Sequence, residues 1–270
     1  MTDLSDRPED RTLLGRERRD AIVTLVSEQG AARVGELAMR FGVSEMTIRR
    51  DIEALAAVNL LARVHGGATR LDRAAPSIDE PGFAAKSKRQ LPEKRAIAER
   101  GASRIRPGGA IGITAGTTTY QLLPYLARIR DLTVVTNSIA IVSALSASAS
   151  GVDLVLTGGS PTPSNAIVGP VAERCLAGFN LDQLFMGVHG MSEAGFTTPN
   201  LAEAQTNLAF IEAAREVCVL ADSSKWGIVG LSTIGVLSAA DVLVSDDALA
   251  DDAVDACESA SVTLDLVALT

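Results

Sequence analysis

The apolar residues in the first part of the chain recur with a helical period. Ile48, Ile52 and Leu55 follow one another at spacings of four and three residues, which predicts a helix with one face in a core. Apolar clusters at residues 22–26 and 37–41 predict two further helices ahead of it. This region is therefore expected to form a small three-helix unit.

The connection into the third helix has the residues of a tight turn. Gly42 permits the backbone angles of the turn, and Ser44 is placed to cap the helix by accepting a free amide. Three helices joined in this way form a helix-turn-helix. Ser44, Thr47, Arg49 and Arg50 are then the side chains able to reach bases or backbone in a DNA groove.

A β-hairpin wing is predicted after these helices. Residues 60–64 have the pattern of a strand, and Gly66 and Gly67 that of a turn. Arg63 and His65 are placed where a wing contacts phosphate oxygens. An arginine-rich solvated helix in an ordinary domain remains the alternative, and the wing at this distance is what favours DNA binding.

From residue 110 onward, short apolar runs alternate with helical segments. The runs lack polar alternation, which indicates strands buried on both faces, and their βαβ order implies a largely parallel sheet. The expected fold class is α/β, with an N-terminal winged helix-turn-helix and a C-terminal largely parallel α/β domain. Strands are predicted over 110–114, 132–136, 152–156, 183–188, 217–221, 242–245 and 262–267, and helices over 118–129, 139–146, 171–178, 201–214 and 248–258.

The two units are separated by a stretch of prolines and mixed charges. The predicted segments are a charged tail over residues 1–15, a winged helix-turn-helix over 16–70, a linker over 71–92 and an effector-sensing α/β domain over 93–270.

The net charge of −8 at first argues against a nucleic-acid partner, but it is unevenly distributed. Residues 11–73 carry eleven Arg against eight acidic residues, a balance of +3, whereas residues 74–270 carry 13 basic against 21 acidic residues. The positive charge thus lies where DNA binding requires it. A balance of +3 also predicts that one unit binds weakly, so that several act together in a homodimer or homotetramer.

Composition bears on the location of the protein and on whether it binds a metal or a cofactor. The chain has no run of eighteen apolar residues, and its charged N-terminus lacks an apolar signal segment, so a cytoplasmic protein without a membrane partner is expected. Cys175, Cys218 and Cys257 have no paired spacing, and the chain has two histidines, so neither a metal site nor a cofactor is expected.

Glycine and polar clusters follow five of the predicted strands, at the edge where open α/β sheets bind ligands. The run Gly116-Thr117-Thr118-Thr119 opens a helix and offers amides and hydroxyls to an anion, although an ordinary strand-to-helix turn would look the same. Lys225 stands out because residues 131–270 contain three basic side chains in all. It is the natural counter-charge for an anionic ligand, or else a partner of Asp222 or a solvated loop lysine.

Both parts of the chain resemble the DeoR/GlpR family of bacterial transcriptional regulators. The motifs S-E-M-T-I-R-R-D-I-E-A-L and R-V-H-G-G-A are similar to its DNA-binding domain, and E-K-R-A-I-A, G-T-T-T, V-V-T-N-S, L-T-G-G and D-S-S-K-W-G to its sensor domain. The resemblance implies a fold like that of ribose-5-phosphate isomerase and a phosphorylated sugar or derivative as effector. It places these residues at the effector site: Gly116, Thr117, Thr118, Asn137, Gly158, Gly159, Asp222 and Lys225.

Three positions depart from the family pattern. Thr114 and Ala115 stand where the family has an acidic residue and often a serine, and Asn207 stands where it commonly has a lysine. These changes remove an acceptor for sugar hydroxyls and a positive charge, which puts the identity of the sugar in doubt. His189, after the fourth strand, could hydrogen-bond an effector or be structural.

The favoured function is a sequence-specific transcriptional repressor of a carbohydrate operon, which binds double-stranded operator DNA and a small phosphorylated effector. An isomerase-like enzyme with a DNA-binding unit is the alternative, with Asp222 and Glu203 as candidate bases. A constitutive DNA-binding protein is a third possibility. The protein is expected not to be an enzyme, because no acid–base pair is evident near the Gly116 loop.

Overall fold

The computed structural model describes residues 15–57, 60–64, 66–69, 82–148 and 151–269. The chain divides into two compact units, one ending at Asp72, called the head below, and one beginning at Arg73. Residues 1–14 of the predicted tail and 71–81 of the predicted linker lie outside the described residues.

The head contains the predicted three helices and wing, and an additional short strand. Its elements are α1 (Gly15–Gln29), β1 (Ala31–Arg33), α2 (Val34–Phe41), α3 (Glu45–Ala57), β2 (Ala62–Val64) and β3 (Gly67–Thr69). The strands form an antiparallel sheet in the order β1-β3-β2. The sequence did not predict β1, because three residues between two helices carry no period of their own.

The apolar stripe of α3 packs into the core of the head as predicted. Ile48, Ile52 and Leu55 are at most 4% exposed and share one cluster with residues of α1 and α2. A buried ion pair joins α1 to α3, with Nε of Arg18 2.7 Å from Oδ2 of Asp51. The core and this pair fix the orientation of α3 within the head.

The second unit is built on a parallel sheet. Its helices are α4 (Phe83–Lys86), α5 (Leu91–Ala102), α6 (Leu123–Leu126), α7 (Ile139–Ser146), α8 (Pro170–Leu176), α9 (Leu201–Ala213) and α10 (Asp251–Ser259). Its strands are β4 (Ala110–Ile113), β5 (Thr133–Thr136), β6 (Asp153–Leu156), β7 (Ser160–Pro161), β8 (Ile167–Val168), β9 (Gln183–Gly187), β10 (Gly190–Ser192), β11 (Gly195–Thr198), β12 (Val217–Leu220), β13 (Ser232–Gly235), β14 (Val242–Asp246) and β15 (Thr263–Val267).

The main sheet has a reversal of strand order near its centre. Within the described residues the order is β15-β14-β12-β9-β4-β5-β6, and every neighbouring pair is parallel. All the predicted strands are confirmed. The order reverses between β4 and β9, and the crevice beyond the carboxyl ends of these two strands is where doubly wound sheets bind ligands.

Two smaller strand groups escaped sequence analysis. The strands β10, β11 and β13 form an antiparallel sheet, and β7 pairs with β8 in a short hairpin. These strands have two to four residues, and several are rich in Gly, Ser or Thr. They are fixed by contacts with distant segments, so local periodicity did not reveal them.

Residues 82–90 form the helix α4 and a following turn, inside the segment that the sequence analysis assigned to the linker. The ring of Phe83 meets that of Tyr120 edge to face, with centroids 5.5 Å apart. The end of the predicted linker therefore packs on the second unit, where Phe83 and Lys86 line a cavity.

Candidate functional site

The turn before α3 has the geometry of a helix-turn-helix. Gly42 ends α2 in the left-handed conformation with φ of 63°, and the N–H of Val43 donates to the carbonyl of Ala38. Ser44 caps α3, because its Oγ accepts from the N–H of Thr47 over 3.2 Å. Both features follow from the local sequence, and together they set where α3 begins.

The outward face of α3 carries the predicted DNA-binding side chains. Arg49 and Arg50 are exposed, and Thr47 is half-buried with its hydroxyl 2.9 Å from that of Ser44. Arg49 pairs with Glu45 one turn earlier, over 3.3 Å. Arg50 makes no ion pair with the described part of the chain.

A groove runs between α3 and the wing. It has a volume of about 420 Å³, and Arg49 and Arg63 both line it. Arg63 pairs with Glu53 of α3 over 3.0 Å, which ties the wing to the helix. His65 lies outside the described residues, so its role stays a prediction.

The second unit has a cavity at the reversal of strand order. It is lined by the loop after β4, from Ala115 to Thr118, and by the segment after β9, from Gly187 to His189. Its volume is about 70 Å³. The further lining residues come from α4, the β7–β8 hairpin, β11, α9, the turn after β12 and β13: Phe83, Lys86, Ser164, Thr198, Glu203, Asn207, Lys225 and Ile234.

Hydrogen bonds fix the loop after β4. Thr119 donates from Oγ1 to the carbonyl oxygens of Thr114 and Gly116, at 2.8 and 3.1 Å. The amide of Ala115 donates to Oδ1 of Asn137 over 2.8 Å. The loop is held from both sides, and Gly116, Thr117 and Thr118 face the cavity.

Positive charge is concentrated at one side of the cavity. Burial lowers the pKa of Lys225, and the charges of Lys86 and Arg89 lower it further, against the opposing effect of Asp222. Burial likewise lowers the pKa of Lys94 to about 8, although Asp222 acts in the opposite direction. An anion that binds beside Lys86 and Lys225 would relieve part of this repulsion.

A carboxylate lies on another wall of the cavity. Oε1 of Glu203 accepts hydrogen bonds from Oγ1 of Thr162, over 2.7 Å, and from the hydroxyl of Ser164. Its second oxygen accepts from Oγ1 of Thr198 at 3.4 Å. The cavity thus combines lysines with a carboxylate that is surrounded by hydroxyl donors.

Comparison with protein families identifies both units. A model of the DeoR-like helix-turn-helix domain matches residues 18–74, and a model of the DeoR C-terminal sensor domain matches residues 89–247. The chain belongs to the DeoR family. It is therefore a helix-turn-helix transcriptional regulator whose second unit is a DeoR sensor domain.

Similar proteins with assigned names are regulators as well. The putative aga operon transcriptional repressor of Escherichia coli is 32% identical over 93% of this chain and 93% of its own length. The glycerol-3-phosphate regulon repressor of Escherichia coli is 31% identical over 85% of this chain and 90% of its own. Ribose 5-phosphate isomerase A from Neisseria gonorrhoeae aligns with a TM-score of 0.37 at 17% identity, over 49% of this chain and 52% of its own.

The DeoR sensor domain brings some of the predicted effector residues together. Gly116, Thr117, Thr118 and Lys225 line the cavity. Four others lie outside the lining: Asn137, Gly158, Gly159 and Asp222. The effector role of all eight stays a prediction.

The residues outside the lining have structural contacts of their own. Asn137 is 1% exposed and bridges the loop after β4 to the carbonyl oxygen of Ile167. Asp222 is also 1% exposed; Ser224 donates to its Oδ1, while Oδ2 has no hydrogen-bond partner among the described residues. Gly158 and Gly159 connect β6 to β7.

The three positions that depart from the family pattern have two different environments. Thr114 is fully buried, and its Oγ1 accepts a hydrogen bond from the amide of Gly187 over 3.1 Å. It therefore joins β4 to β9 within the sheet. Ala115 and Asn207 line the cavity itself, so their side chains can affect ligand choice.

Part of the cavity wall was not predicted from the sequence. Phe83 and Lys86 fell in the assigned linker, and Ser164 and Thr198 in unassigned loops. Glu203 was named only as a candidate base. The basic run from Lys86 to Arg89, in an otherwise acidic domain, was the available clue to the α4 wall.

The described residues form neither a membrane-spanning helix nor a metal-binding cluster. In the described part of the chain, no helix is long and apolar enough to cross a membrane. Over the same residues, no group of three or more His, Cys, Asp or Glu side chains is placed to hold a metal ion.

Proposed function

We propose that this DeoR-family regulator represses a carbohydrate operon and that a phosphorylated sugar or related metabolite releases it from operator DNA. The observation that carries the proposal is the cavity at the strand reversal, which is lined by Lys86 and Lys225 and also by Glu203. Lysines suit a phosphate, and a carboxylate suits sugar hydroxyls. A ligand with both groups fits this chemistry best.

The head supports binding to a DNA duplex. Arg49 and Arg63 lie along one groove, and both are paired with carboxylates at exposed positions. Exposed ion pairs of this kind contribute little energy, so phosphate oxygens can replace Glu45 and Glu53 at small cost. Arg50, without such a partner in the described chain, is available for a base edge.

The names of two relatives agree with a carbohydrate or phosphorylated effector. One is called a repressor of the aga operon, and the other the repressor of the glycerol-3-phosphate regulon. We extend to this chain the general class, a small phosphorylated carbon compound. The positions Ala115 and Asn207 on the cavity wall are where its choice among such compounds would be set.

We propose that the protein is not an isomerase, although Glu203 lies in the cavity. Its carboxylate accepts from the hydroxyls of Thr162, Ser164 and Thr198, so it is held as an acceptor. A general base has to reach a substrate proton in a suitable pose. Incubation with aldose and ketose phosphates should give no interconversion, and turnover that is lost in Glu203→Gln would support the enzyme instead.

A homodimer or homotetramer is proposed as the DNA-binding form. Four exposed apolar side chains are available for self-association. Leu201 and Leu208 lie on one face of α9, and Leu231 and Val236 lie beside β13. Light scattering behind size exclusion should give a mass of two or four chains. A protein that is monomeric at micromolar concentration and still binds a single operator tightly would contradict the proposed oligomer.

The DNA proposal is tested by enrichment of bound duplexes from a random-sequence pool, followed by gel shifts on the recovered site. We expect one enriched motif, and release of that DNA by a phosphorylated sugar but not by its unphosphorylated parent. Placed between a promoter and a reporter gene, the same motif should lower expression when the protein is present. Recovery of unrelated sequences would contradict sequence-specific binding, and equal release by both sugars would contradict the phosphate requirement.

A further inference from the structure

Residues 82–90, called the strap below, form a wall of the cavity and lead back along the chain to the head. Phe83 and Lys86 of the strap line the cavity together with the loop after β4 and with Lys225. Twelve residues, 70–81, separate the strap from Thr69, the last described residue of the wing. The strap is thus a ligand-facing segment close in sequence to the DNA-binding unit.

The strap is held by side chains. The buried Nζ of Lys94 donates to the carbonyl oxygens of Lys86 and Arg89, at 2.9 and 2.6 Å. Phe83 packs edge-on against Tyr120, and the Ser87 hydroxyl donates to the Phe83 carbonyl over 2.9 Å. In the described structure, no strand pairs with it.

The other walls are more strongly fixed. The segments after β4 and β9 continue strands at the centre of the parallel sheet. The α9 wall, with Glu203 and Asn207, belongs to a helix of 13 residues that packs on α8 and β13. A wall held by a few side chains moves at lower free-energy cost than the ends of central strands.

The size of the cavity favours such a movement. Its volume is about 70 Å³, whereas small-molecule sites usually enclose about 300–1,000 Å³. An outward movement of the strap would enlarge the cavity toward the size of a phosphorylated sugar. Lys86 would move with the strap, and its ammonium group can follow the anion.

We propose that Lys86 and Lys225 together bind the anionic group of the effector, and that the movement of the strap on binding couples the cavity to the head. This rests on the proposed function, since it assigns the anion site and the route of regulation within it. The effector favours the state with the displaced strap, and DNA favours the other. Such coupling is reciprocal, so bound operator weakens effector binding by the same factor.

The charge contribution is tested with Lys86→Gln against Lys88→Gln. Lys88 is exposed on the same strap, and it is not among the lining residues. The probes are inorganic phosphate, glycerol 3-phosphate, glucose 6-phosphate and fructose 1-phosphate, with the unphosphorylated parents as references. For the probe that stabilises the wild-type protein in a thermal-shift assay, Lys86→Gln should weaken binding at least tenfold, and Lys88→Gln by less than twofold.

The Lys86 backbone carbonyl, which Lys94 uses, is retained in every variant, so the strap anchor is unchanged. Lys86→Arg keeps the positive charge and should recover most of the affinity. Equal affinity of Lys86→Gln and Lys88→Gln would overturn the assignment. If no phosphorylated probe stabilises the wild type, the proposed function itself fails, which is a separate outcome.

The coupling is tested by amide hydrogen exchange on the full chain. Addition of the stabilising probe should change the protection of amides 83–89 by at least threefold, and operator DNA should change it in the opposite direction. The amides of α10, which contributes no lining residue to the cavity, serve as the internal reference. Unchanged protection of the strap at saturating probe would overturn the coupling, even if Lys86 binds the anion.

Discussion

Asn137 accepts a hydrogen bond from the backbone amide of Ala115 through Oδ1, over 2.8 Å, and so holds the loop after β4. Its Nδ2 donates to the carbonyl oxygen of Ile167 over 3.2 Å. A side chain that the sequence placed among the effector ligands thus connects two segments of the protein. Its effect on a ligand would then be exerted through the loop that carries Gly116 and Thr117.

Asn137→Ala should destabilise the sensor domain by about 1–3 kcal/mol, because two largely buried backbone groups lose their partners. Urea unfolding at neutral pH measures this directly. We also expect weaker binding of phosphorylated probes, since the amides of the loop are no longer fixed. A loss of less than about 0.5 kcal/mol, within the range of ordinary surface changes, would contradict the bridging role.

Arg50→Ala should weaken operator binding by about 1–3 kcal/mol if the guanidinium contacts a base edge. Arg128→Ala removes the same charge from an exposed position of the sensor domain and is the matched control. Gel shifts on the enriched motif and on unrelated duplexes separate base contacts from phosphate contacts. An equal loss of affinity for both kinds of duplex would mean that Arg50 contacts the DNA backbone. Unchanged affinity would remove Arg50 from the interface.

Gly67→Ala should destabilise the head by about 1–3 kcal/mol or more, because the added methyl group would lie 2.4 Å from the carbonyl oxygen of Ala32. Gly66→Ala is the neighbouring control: its methyl group meets no atom within 4 Å, and its cost comes from a φ of +81°. We expect the Gly67 variant to lose more stability and DNA affinity. Equal unfolding midpoints of the head for the two variants would contradict the close packing of β1 on β3.

Lys94 gives a prediction for the pH dependence of stability. Burial lowers its pKa from 10.5 to about 8 in the folded state, so above pH 8 the unfolded chain binds more protons than the folded one. The cost of burying this charge is fully present below pH 8 and is lost between about pH 8 and 10.5. The free energy of unfolding therefore rises with pH over that range.

Lys94→Met removes this titration. Urea unfolding of both proteins from pH 7 to pH 10 should show the wild type gaining stability relative to the variant as the pH rises above 8. The difference between the two proteins cancels the titration of other groups. A difference that stays constant, or that falls with rising pH, would contradict the lowered pKa.

The sequence by itself determined the elements whose signals are local. The stripe of Ile48, Ile52 and Leu55, the turn at Gly42 and the cap at Ser44 lie within fourteen residues of one another, and the structure confirms each. The parallel strands were equally predictable, because strands buried on both faces are continuous apolar runs. Their βαβ order then pointed to the edge of the sheet at which the cavity lies.

Tertiary structure alone decided which side chains meet in the cavity. Thr162 and Glu203 are 41 residues apart in sequence, and no local period relates them. The strap was assigned to the linker because residues 71–92 combine prolines with mixed charges. It becomes a cavity wall through the contact of Phe83 with Tyr120 and through the hydrogen bonds from Lys94 to the strap backbone. Asn137 and Asp222 follow strands as ligand residues do, but the packing around them turns the first toward neighbouring backbone and leaves the second 1% exposed. Such positions depend on the sum of distant contacts, which short polar segments do not encode in their own sequence.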